Sequence, residues 1–407
     1  MKHIYIIDEH QSSKQNGVGT YIQQLLKCFE GSGHDVNLIS FNSDEKEFMV
    51  EQHSSYTEYH VPICGIGGFL SNGPLTLSLL RLYIEDNESN VFLVNHSPCF
   101  HFLKTIKKLF PLSPIIFTIH DQGWCAPLLG DVTLFRKVIY SRYTPKHLAQ
   151  KWSIIRRFYH EECRMYSIVD KVVSLAEDTS DILKTIYHVP SSKIHLIPNG
   201  KEVLVHPSSE EDLEKVRRLL GLNNNEKVLL YAGRTVESKG IIPLLMAFEK
   251  AYEDHHNIHL IIAGQVFKFN DFAEKTPLSS THITYTGLIP ESQMERWYQI
   301  ADVCVFPSYT EQCSYFGIEI LAHGKMIVAT NGHNMRDMFD EDASLIVPII
   351  ENQERFSERL YKELKYVLQL PDELFKKYKK KARFKYEKQY TLNRMRSLYV
   401  QLLANEI

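Results

Sequence analysis

Arg234 and Lys239 flank a short polar loop, YAGRTVESKG, that follows an apolar segment and precedes a segment typical of a helix. Arginine offers a fork of hydrogen-bond donors, lysine offers a compact charge, and the following helix turns its positive dipole end toward the same loop. This combination suits a diphosphate anion. The alternative is a solvated loop in which Glu237 offsets one of the two charges.

Two carboxylates, Glu311 and Glu319, occur eight residues apart in PSYTEQCSYFGIEILAHGKMIVAT. Glu311 falls in the loop after a predicted strand, and Glu319 falls near the start of the next predicted helix. Each carboxylate can accept charge-assisted hydrogen bonds from two hydroxyls, so the pair suits a polyhydroxylated ligand. Glu319 could instead only favour the start of its helix, where acidic residues are common.

Two further loops hold residues of interest in the first half of the chain. Gly17 and Gly19, in DEHQSSKQNGVGTYIQQLL, lie just ahead of a predicted helix, where a ligand could approach backbone amides. The alternative is a flexible loop with an ordinary helix start. His120 ends the apolar run FTIHDQGW and could hydrogen-bond a substrate hydroxyl or stabilise a cationic centre. A histidine satisfied by a neighbouring loop is the alternative.

The elements that would position these residues follow from hydrophobic runs between amphipathic stretches. Six runs occur in the first half, HIYIID, DVNLISF, NVFLVNHS, PIIFTIHD, KVVSLA and KIHLIP, and six in the second, VLLYAG, IHLIIAG, ITYTGLI, DVCVFPS, KMIVAT and ASLIVP. Strands that are apolar on both faces and alternate with helices indicate parallel sheets covered by helices. Because the pattern starts twice, the sequence predicts two doubly wound α/β domains, whose ligands gather at the carboxyl ends of the strands.

Composition agrees with two ordinary globular domains. The chain has 407 residues, of which 44% are hydrophobic and 23% charged, and its formal net charge of -3 argues against nucleic acid as a main partner. Seven scattered cysteines, with no CxxC pair, suggest reduced thiols in a cytoplasmic protein. We find no apolar run long enough to span a membrane and expect at most a peripheral position at the inner membrane face.

The motifs together resemble the retaining GT-B glycosyltransferases of family 4, also called glycosyl transferases group 1. The resemblance runs from residue 1 to nearly 400 and rests on NGVGTYIQQLLKCFEGSGHDVNLIS, VVSLAEDTSDILKTIYHVPSSKIHLIPNG, YAGRTVESKG, HLIIAG and PSYTEQCSYFGIEILAHGKMIVAT. It implies two Rossmann-like domains facing a central cleft. We place the N-terminal, acceptor-side domain at residues 1–203 and the nucleotide-sugar domain at 204–385. Residues 386–407 would form a helix that crosses back to the N-terminal domain.

The resemblance also implies roles for the site residues. Arg234 and Lys239 would hold the diphosphate of a nucleotide sugar, linked to UDP or GDP, and Glu319 would bind the ribose hydroxyls. Glu311 would face the hydroxyls of the donor sugar. Gly17 and Gly19 match the glycine loop that closes over sugar and phosphate, and His120 matches a histidine near the reacting carbon.

The chain departs from the family where Glu-Gly-Phe-Gly is usual. Glu311 is followed by Gln312, Cys313 and Ser314, so the backbone amides of Cys313 and Ser314 must contact the donor without the latitude of glycine. The segment EQCSYFGIEILAHG also resembles a bacterial subset found beside peptide-modification genes, which bears only on the acceptor.

The sequence therefore predicts a metal-independent enzyme that transfers a hexose to an acceptor hydroxyl on a glycan, a lipid-linked sugar or a peptide, with no cofactor besides the donor. A non-catalytic GT-B subunit that partners another glycosyltransferase and a nucleotide-sugar epimerase are the alternatives. An epimerase would need no acceptor.

Residues 122–164 form a long insertion in which basic and aromatic side chains alternate, among them Trp124, Trp152, Arg156 and Arg157. Such a stretch could contact an anionic acceptor or lie on a membrane face. A solvated helix pair with a packed aromatic stripe is an equal alternative.

Overall fold

The computed structural model describes residues 1–14, 16–63, 76–95, 100–206, 208–223, 225–266 and 269–405. The chain divides into two compact units, one formed by residues 1–201 with 392–407 and the other by residues 202–391. Each unit contains its own sheet of mainly parallel strands with helices packed on it. The predicted fold class, two doubly wound parallel-sheet domains, is confirmed.

The strands of the first unit form a sheet of eight, counted over the described residues, in the order β3-β4-β2-β1-β5-β6-β7-β8. Neighbouring strands run parallel except β3 and β4, which are antiparallel. The strands are His3–Glu9 (β1), Asp35–Ser43 (β2), Met49–Gln52 (β3), Thr57–Pro62 (β4), Asn90–Val94 (β5), Ile115–Thr118 (β6), Lys171–Ser174 (β7) and Ile194–Leu196 (β8).

In the second unit, the described strands form a parallel sheet of six in the order β11-β10-β9-β12-β13-β14. They are Lys227–Ala232 (β9), Ile258–Ala263 (β10), Ile283–Gly287 (β11), Val303–Phe306 (β12), Met326–Thr330 (β13) and Leu345–Val347 (β14).

The α-helices that connect and cover these strands are His10–Ser13 (α1), Gly17–Phe29 (α2), Phe100–Leu109 (α3), Val132–Tyr140 (α4), Ala149–Ile168 (α5), Glu177–Thr185 (α6), Glu210–Leu219 (α7), Ile241–Asp254 (α8), Phe269–Ala273 (α9), Glu291–Ile300 (α10), Tyr315–Ala322 (α11), Gln353–Leu368 (α12), Asp372–Gln389 (α13) and Leu392–Asn405 (α14). Short 3₁₀ helices span Leu77–Leu82, Lys146–Leu148, Ser191–Lys193, Glu237–Lys239 and Ser280–His282. Over the described residues, no helix is both long enough and apolar enough to cross a bilayer.

The burial of the strands explains why they could be predicted from the sequence. Every residue of β10 and β13 is buried, as two-sided burial in a parallel sheet requires. All twelve predicted strands are present. The prediction missed β3 and β4, an antiparallel pair at the sheet edge. All four residues of β3 are exposed, and β4 buries only Tyr59 and Val61, so neither strand forms a continuous apolar run.

The ends of the last two helices differ from the sequence-based boundaries. The sequence predicts a final helix from residue 386, whereas α13 continues to Gln389 and α14 begins at Leu392. Tyr386 and Tyr390 are buried in the second unit. The Tyr386 hydroxyl accepts from Val203 N at 3.1 Å, and the Tyr390 hydroxyl donates to Asp337 O at 2.9 Å. The helix α14 packs on α2 in the first unit, and Arg396 Nη2 donates to Lys27 O at 2.7 Å.

Candidate functional site

The strand order of the second sheet reverses between β9 and β12, the kind of switch point where open α/β sheets bind ligands. The loop after β9 carries Arg234 and Lys239, and the loop after β12 carries Glu311. Because the two strands are parallel neighbours, both loops leave the same edge of the sheet. The topology thus places three predicted site residues on adjacent loops.

Gly240 allows these two loops to approach each other. Its backbone is left-handed, with φ of +67°, and a Cβ there would lie 2.0 Å from Pro307 O. Tyr309 N donates to Ser238 O at 2.9 Å, which joins the loops backbone to backbone. Only glycine fits this close approach, and the approach brings Lys239 to the β12 loop.

Lys239 and Glu311 form an ion pair. Lys239 Nζ lies 2.5 Å from Glu311 Oε1, and the side chains are only 18% and 15% exposed. Ser308 Oγ donates to the same oxygen at 3.0 Å, while Asn334 Nδ2 donates to Glu311 O at 2.7 Å. Both the carboxylate and its backbone are therefore fixed in place.

Arg234 occupies the open side of the β9 loop. Its side chain is exposed, and it forms no ion pair with the acidic residues of the described ranges. Its backbone is held, since Tyr231 Oη donates to Arg234 O at 2.8 Å. Next to it, Thr235 Oγ1 donates to Gln265 O at 2.9 Å. A fixed backbone that carries an exposed guanidinium leaves its donors available to an anion.

Cys313 and Ser314 lead into α11. Ser314 is the N-cap, and its Oγ accepts from Gly317 N at 3.4 Å. Cys313 is a half-buried cysteine. The helix therefore begins at Tyr315, four residues after Glu311, and the positive end of its dipole lies at the loop between them.

Glu319 lies on the second turn of α11, so the alternative that it only favours the helix start is wrong. Its Oε2 accepts a short hydrogen bond from the Tyr298 hydroxyl on α10. Burial raises the pKa of Tyr298 well above its usual range, so the hydroxyl stays protonated and donates. Glu319 is thus oriented by a buried neighbour.

Gly17 and Gly19 were predicted to lie in a loop just ahead of a helix, but they are the first and third residues of α2 itself. Asn16 caps that helix by accepting from Val18 N at 2.8 Å. Gly19 is required by packing, since a Cβ there would lie 2.6 Å from Ser13 O. Ser13 is itself held by Asp8, whose Oδ2 accepts from Ser13 Oγ at 2.8 Å. Gly19 therefore packs against the end of α1, which Ser13 ties to β1.

His120 lies two residues beyond the end of β6, in a loop and not at the strand terminus itself. Its ring packs on that of Tyr21 of α2 in a T-shaped pair, with centroids 4.5 Å apart and planes at 70°. The same helix begins at Gly17. The predicted histidine and the predicted glycine loop are thus connected through one side chain of α2.

Among the residues of the described ranges, no three His, Cys, Asp or Glu side chains are grouped as a metal site. The side chains that converge at the β9 and β12 loops are instead one cation, one carboxylate and one hydroxyl.

A family model for glycosyl transferases group 1 matches residues 212–384, and a model for glycosyltransferase family 4 matches residues 15–202. Together they extend over most of both units. The chain is a family 4 glycosyltransferase.

This glycosyltransferase is 24% identical over 362 residues to the uncharacterized glycosyltransferase MJ1607 of Methanocaldococcus jannaschii, a match covering 84% of each chain. It is 27% identical over 193 residues to the alpha-monoglucosyldiacylglycerol synthase of Streptococcus pneumoniae, which covers 46% of this chain and 42% of that one.

Solved structures show the same GT-B fold of two Rossmann-like domains. Sucrose-phosphate synthase from Thermosynechococcus elongatus has a TM-score of 0.75 at 18% identity, and the match covers 99% of this chain and 100% of the synthase chain. Anabaena Alr3699/HepE, solved in complex with UDP-glucose, has a TM-score of 0.70 at 14% identity. That match covers 99% of this chain and 100% of the Anabaena chain.

Two features of the candidate site were not predicted from the sequence. The Tyr21 hydroxyl contacts the hydroxyl of Tyr399 on α14 and lies 3.5 Å from Thr118 Oγ1, so the residue that packs on His120 is held from two sides. Tyr399 lies 378 residues from Tyr21 along the chain, a separation that no local pattern signals.

The second missed feature is a buried anchor for the loop after His120. Glu162 on α5 accepts from Gly123 N at 2.8 Å and from the Tyr187 hydroxyl. Burial raises the pKa of Glu162 to about 7. Glu162 thereby fixes the backbone three residues beyond the histidine.

The structure also changes the interpretation of residues 122–164. Trp124 and Trp152, 1% and 2% exposed, belong to the core of the first unit and not to a surface. Arg156 donates to Val138 O at 2.8 Å, to Thr144 Oγ1 at 2.9 Å and to Ser141 O at 2.9 Å. For these side chains the packed helix pair is the correct alternative. Arg157 remains exposed.

Charge reversal separates these two arginines. Arg156→Glu should lower the free energy of unfolding by about 2 to 4 kcal/mol, because three hydrogen bonds from a charged donor are lost and a carboxylate meets backbone carbonyls. Arg157→Glu, the matched control, should change it by less than about 0.5 kcal/mol. Urea unfolding of both variants checks the prediction, and equal destabilisation by the two changes would contradict it.

Proposed function

We propose that this glycosyltransferase is a retaining enzyme that moves a hexose from a nucleoside diphosphate sugar to an acceptor hydroxyl. The observation that carries the proposal is the ion pair of Lys239 and Glu311 at the switch point of the second sheet. A cation suited to phosphate and a carboxylate suited to sugar hydroxyls lie in contact, as a donor whose phosphate is bonded directly to its sugar requires.

The donor roles follow from the positions of the side chains. Lys239 and the exposed Arg234 would bind the diphosphate, and Glu311 would accept hydrogen bonds from the sugar. Glu319, held by Tyr298, would bind the ribose hydroxyls. The backbone amides of Cys313 and Ser314, at the amino end of α11, would add donors for the anion. The donor would carry UDP or GDP, and the UDP-glucose complex of Anabaena Alr3699/HepE supports UDP.

In the first unit, the start of α2 with Gly17 and Gly19 would close over the sugar and phosphate, and His120 would lie near the reacting carbon. Tyr21 and the Glu162 anchor would position His120, since one packs on its ring and the other fixes the following backbone.

The chemistry would be a displacement on one face of the sugar. The bond from the anomeric carbon to the diphosphate oxygen breaks while the acceptor oxygen bonds to the same face, so the configuration is retained. The departing oxygen takes the acceptor proton. Arg234 and Lys239 stabilise the charge that develops on the diphosphate.

The acceptor would be a glycan, a lipid-linked sugar or a peptide, used by a cytoplasmic enzyme. The alpha-monoglucosyldiacylglycerol synthase of Streptococcus pneumoniae and the lipopolysaccharide 1,2-N-acetylglucosaminetransferase of Salmonella typhimurium support an acceptor carried by a lipid. An acceptor of this kind would bring the enzyme into peripheral contact with a membrane.

Thermal shifts with UDP, GDP, ADP and their sugars test the donor, because a ligand that binds only the folded state raises the Tm by mass action. Incubation of the stabilising donor with candidate acceptors then tests transfer. The anomeric configuration of the product, measured by NMR, tests retention. Conversion of the donor without any acceptor would favour an epimerase instead, and the lack of any nucleotide-dependent shift would favour a non-catalytic subunit.

Transfer should be insensitive to EDTA, because Arg234 and Lys239 supply the positive charge that a metal would otherwise bring to the diphosphate. The measurement is the initial rate with EDTA, compared with the rate after dialysis and addition of magnesium. Loss of transfer in EDTA with recovery in magnesium would assign the diphosphate charge to a metal and contradict this role of the two cations.

A further inference from the structure

The helix α13 carries a strong concentration of positive charge on the second unit. Its 18 residues, DELFKKYKKKARFKYEKQ, include eight basic and three acidic side chains. One face of the helix lines a groove of about 790 Å³ together with Asp340, Asp342 and Ala343. The charge is therefore gathered on one concave surface.

Part of this charge is used within the unit. Lys381 Nζ lies 2.7 Å from Asp342, Lys385 pairs with Asp340, and Arg383 pairs with Glu387 at 2.7 Å. Asp342 shows the effect of its neighbour, because the hydrogen bond from Lys381 lowers the pKa of this carboxyl.

Four exposed lysines of the same groove take part in no ion pair with the acidic residues of the described ranges: Lys376, Lys377, Lys380 and Lys388. Glu373 is the one acidic side chain of α13 that lines the groove. The surface therefore keeps an excess of positive charge after the internal pairs are counted.

An exposed aromatic ring lies among these lysines. Phe384 is 62% exposed, and it lines both this groove and a second groove of about 610 Å³. The second groove also contains Leu204 and Val205, of which Leu204 is 63% exposed. A surface in contact only with water would not combine unpaired lysines with exposed apolar side chains that line the adjoining groove.

We propose that this lysine surface, formed by Lys376, Lys377, Lys380, Lys388 and Phe384, binds an anionic lipid bilayer. The ammonium groups contact lipid phosphates, while Phe384 and Leu204 enter the headgroup region. Each lysine near an anionic membrane strengthens binding about fivefold, and exposed apolar side chains add the burial that charge alone lacks. The combination favours a membrane over a nucleic acid, whose phosphates attract lysines but leave Leu204 without a partner.

The test is co-sedimentation of the full chain with vesicles of phosphatidylcholine alone and of phosphatidylcholine mixed with phosphatidylglycerol. The protein should sediment with the mixed vesicles and remain in solution with phosphatidylcholine alone. Neutralising Lys376, Lys377, Lys380 and Lys388 to glutamine should reduce partitioning onto the anionic vesicles about tenfold or more. Equal sedimentation of the protein with both kinds of vesicle would overturn the proposal.

A matched control neutralises four exposed cations of the first unit, Lys137, Arg142, Lys151 and Arg157, to glutamine. It removes the same formal charge, so partitioning should change by less than about twofold if α13 forms the membrane contact. An equal loss in both variants would mean that net charge alone governs binding, and a loss confined to the control would move the contact to residues 122–164. Either result overturns the proposal.

Phe384→Ser tests the apolar part, with Leu219→Ser as its control, because Leu219 is 79% exposed and does not line either groove. Only the first change should weaken vesicle binding. All variants should keep the wild-type Tm and the Tm increase with the donor nucleotide, so a failed fold or a failed donor assignment is distinguished from a failed membrane contact. Retention of RNA by the wild-type protein with no vesicle binding would contradict the proposal.

Discussion

The Glu311→Gln variant should turn over about a hundredfold more slowly, or worse, while it still binds UDP or GDP. The sugar ring gains positive charge as its bond to the diphosphate breaks, and a fixed carboxylate stabilises that charge more in the transition state than before it. The rigid setting of Glu311, paired with Lys239 and held through Asn334, is what makes this contribution large. Steady-state kinetics beside calorimetry of nucleotide binding is the measurement.

The ion pair adds a second expectation for this variant. Glutamine removes the negative charge that lies against Lys239 Nζ, so the ammonium becomes more available to a diphosphate and nucleotide affinity should hold or rise. Ser308→Ala is the control, since it removes a donor to the same oxygen but keeps the charge, and it should cost less than about tenfold in turnover. Near-normal turnover of Glu311→Gln, or loss of nucleotide binding, would contradict the role given to Glu311.

The contact between Lys239 and Glu311 refines what the sequence suggested. The two residues lie 72 positions apart and were interpreted separately, one for phosphate and one for sugar. Their contact makes the two parts of the proposed donor site adjacent, so a donor bound as proposed would share Lys239 between its phosphate and the carboxylate. Gly240 is the local cause, because its missing Cβ permits the close approach of the two loops.

The framework of both sheets was predictable because parallel strands are buried on both faces and appear as continuous apolar runs. The position of the site was predictable for the same reason: loops that follow parallel neighbours leave the same sheet edge, whichever residues they carry. The pair β3 and β4 was not predictable from the sequence. All four residues of the edge strand Met49–Gln52 are exposed, so this strand has no buried face that would require a pattern of apolar residues.

The contacts that orient the candidate site residues could not be predicted from the sequence. Tyr21 with Tyr399, Glu162 with Gly123, and Tyr298 with Glu319 join residues brought together only by the fold. The composition of residues 122–164 also did not determine which of its aromatic side chains are buried. Trp124 and Trp152 in a basic stretch could equally be surface or core, and only packing distinguishes the two.

The Glu319→Ala variant should bind nucleotide about ten to a hundredfold more weakly, with a much smaller change in turnover at saturating donor. A carboxylate that holds the ribose contributes equally before and during the reaction, so its loss raises KM and leaves the chemical step nearly unchanged. Calorimetry with the free nucleotide and kinetics over a wide donor range measure the two quantities.

The partner of Glu319 provides the control that separates binding from folding. Alanine at this position leaves the buried Tyr298 hydroxyl without its acceptor, which should lower the free energy of unfolding by about 1 to 3 kcal/mol. Adding Tyr298→Phe removes that hydroxyl, so the double variant should regain stability but not nucleotide affinity. If affinity returned together with stability, the weak binding of Glu319→Ala would be a folding defect, and Glu319 would not be the ribose ligand.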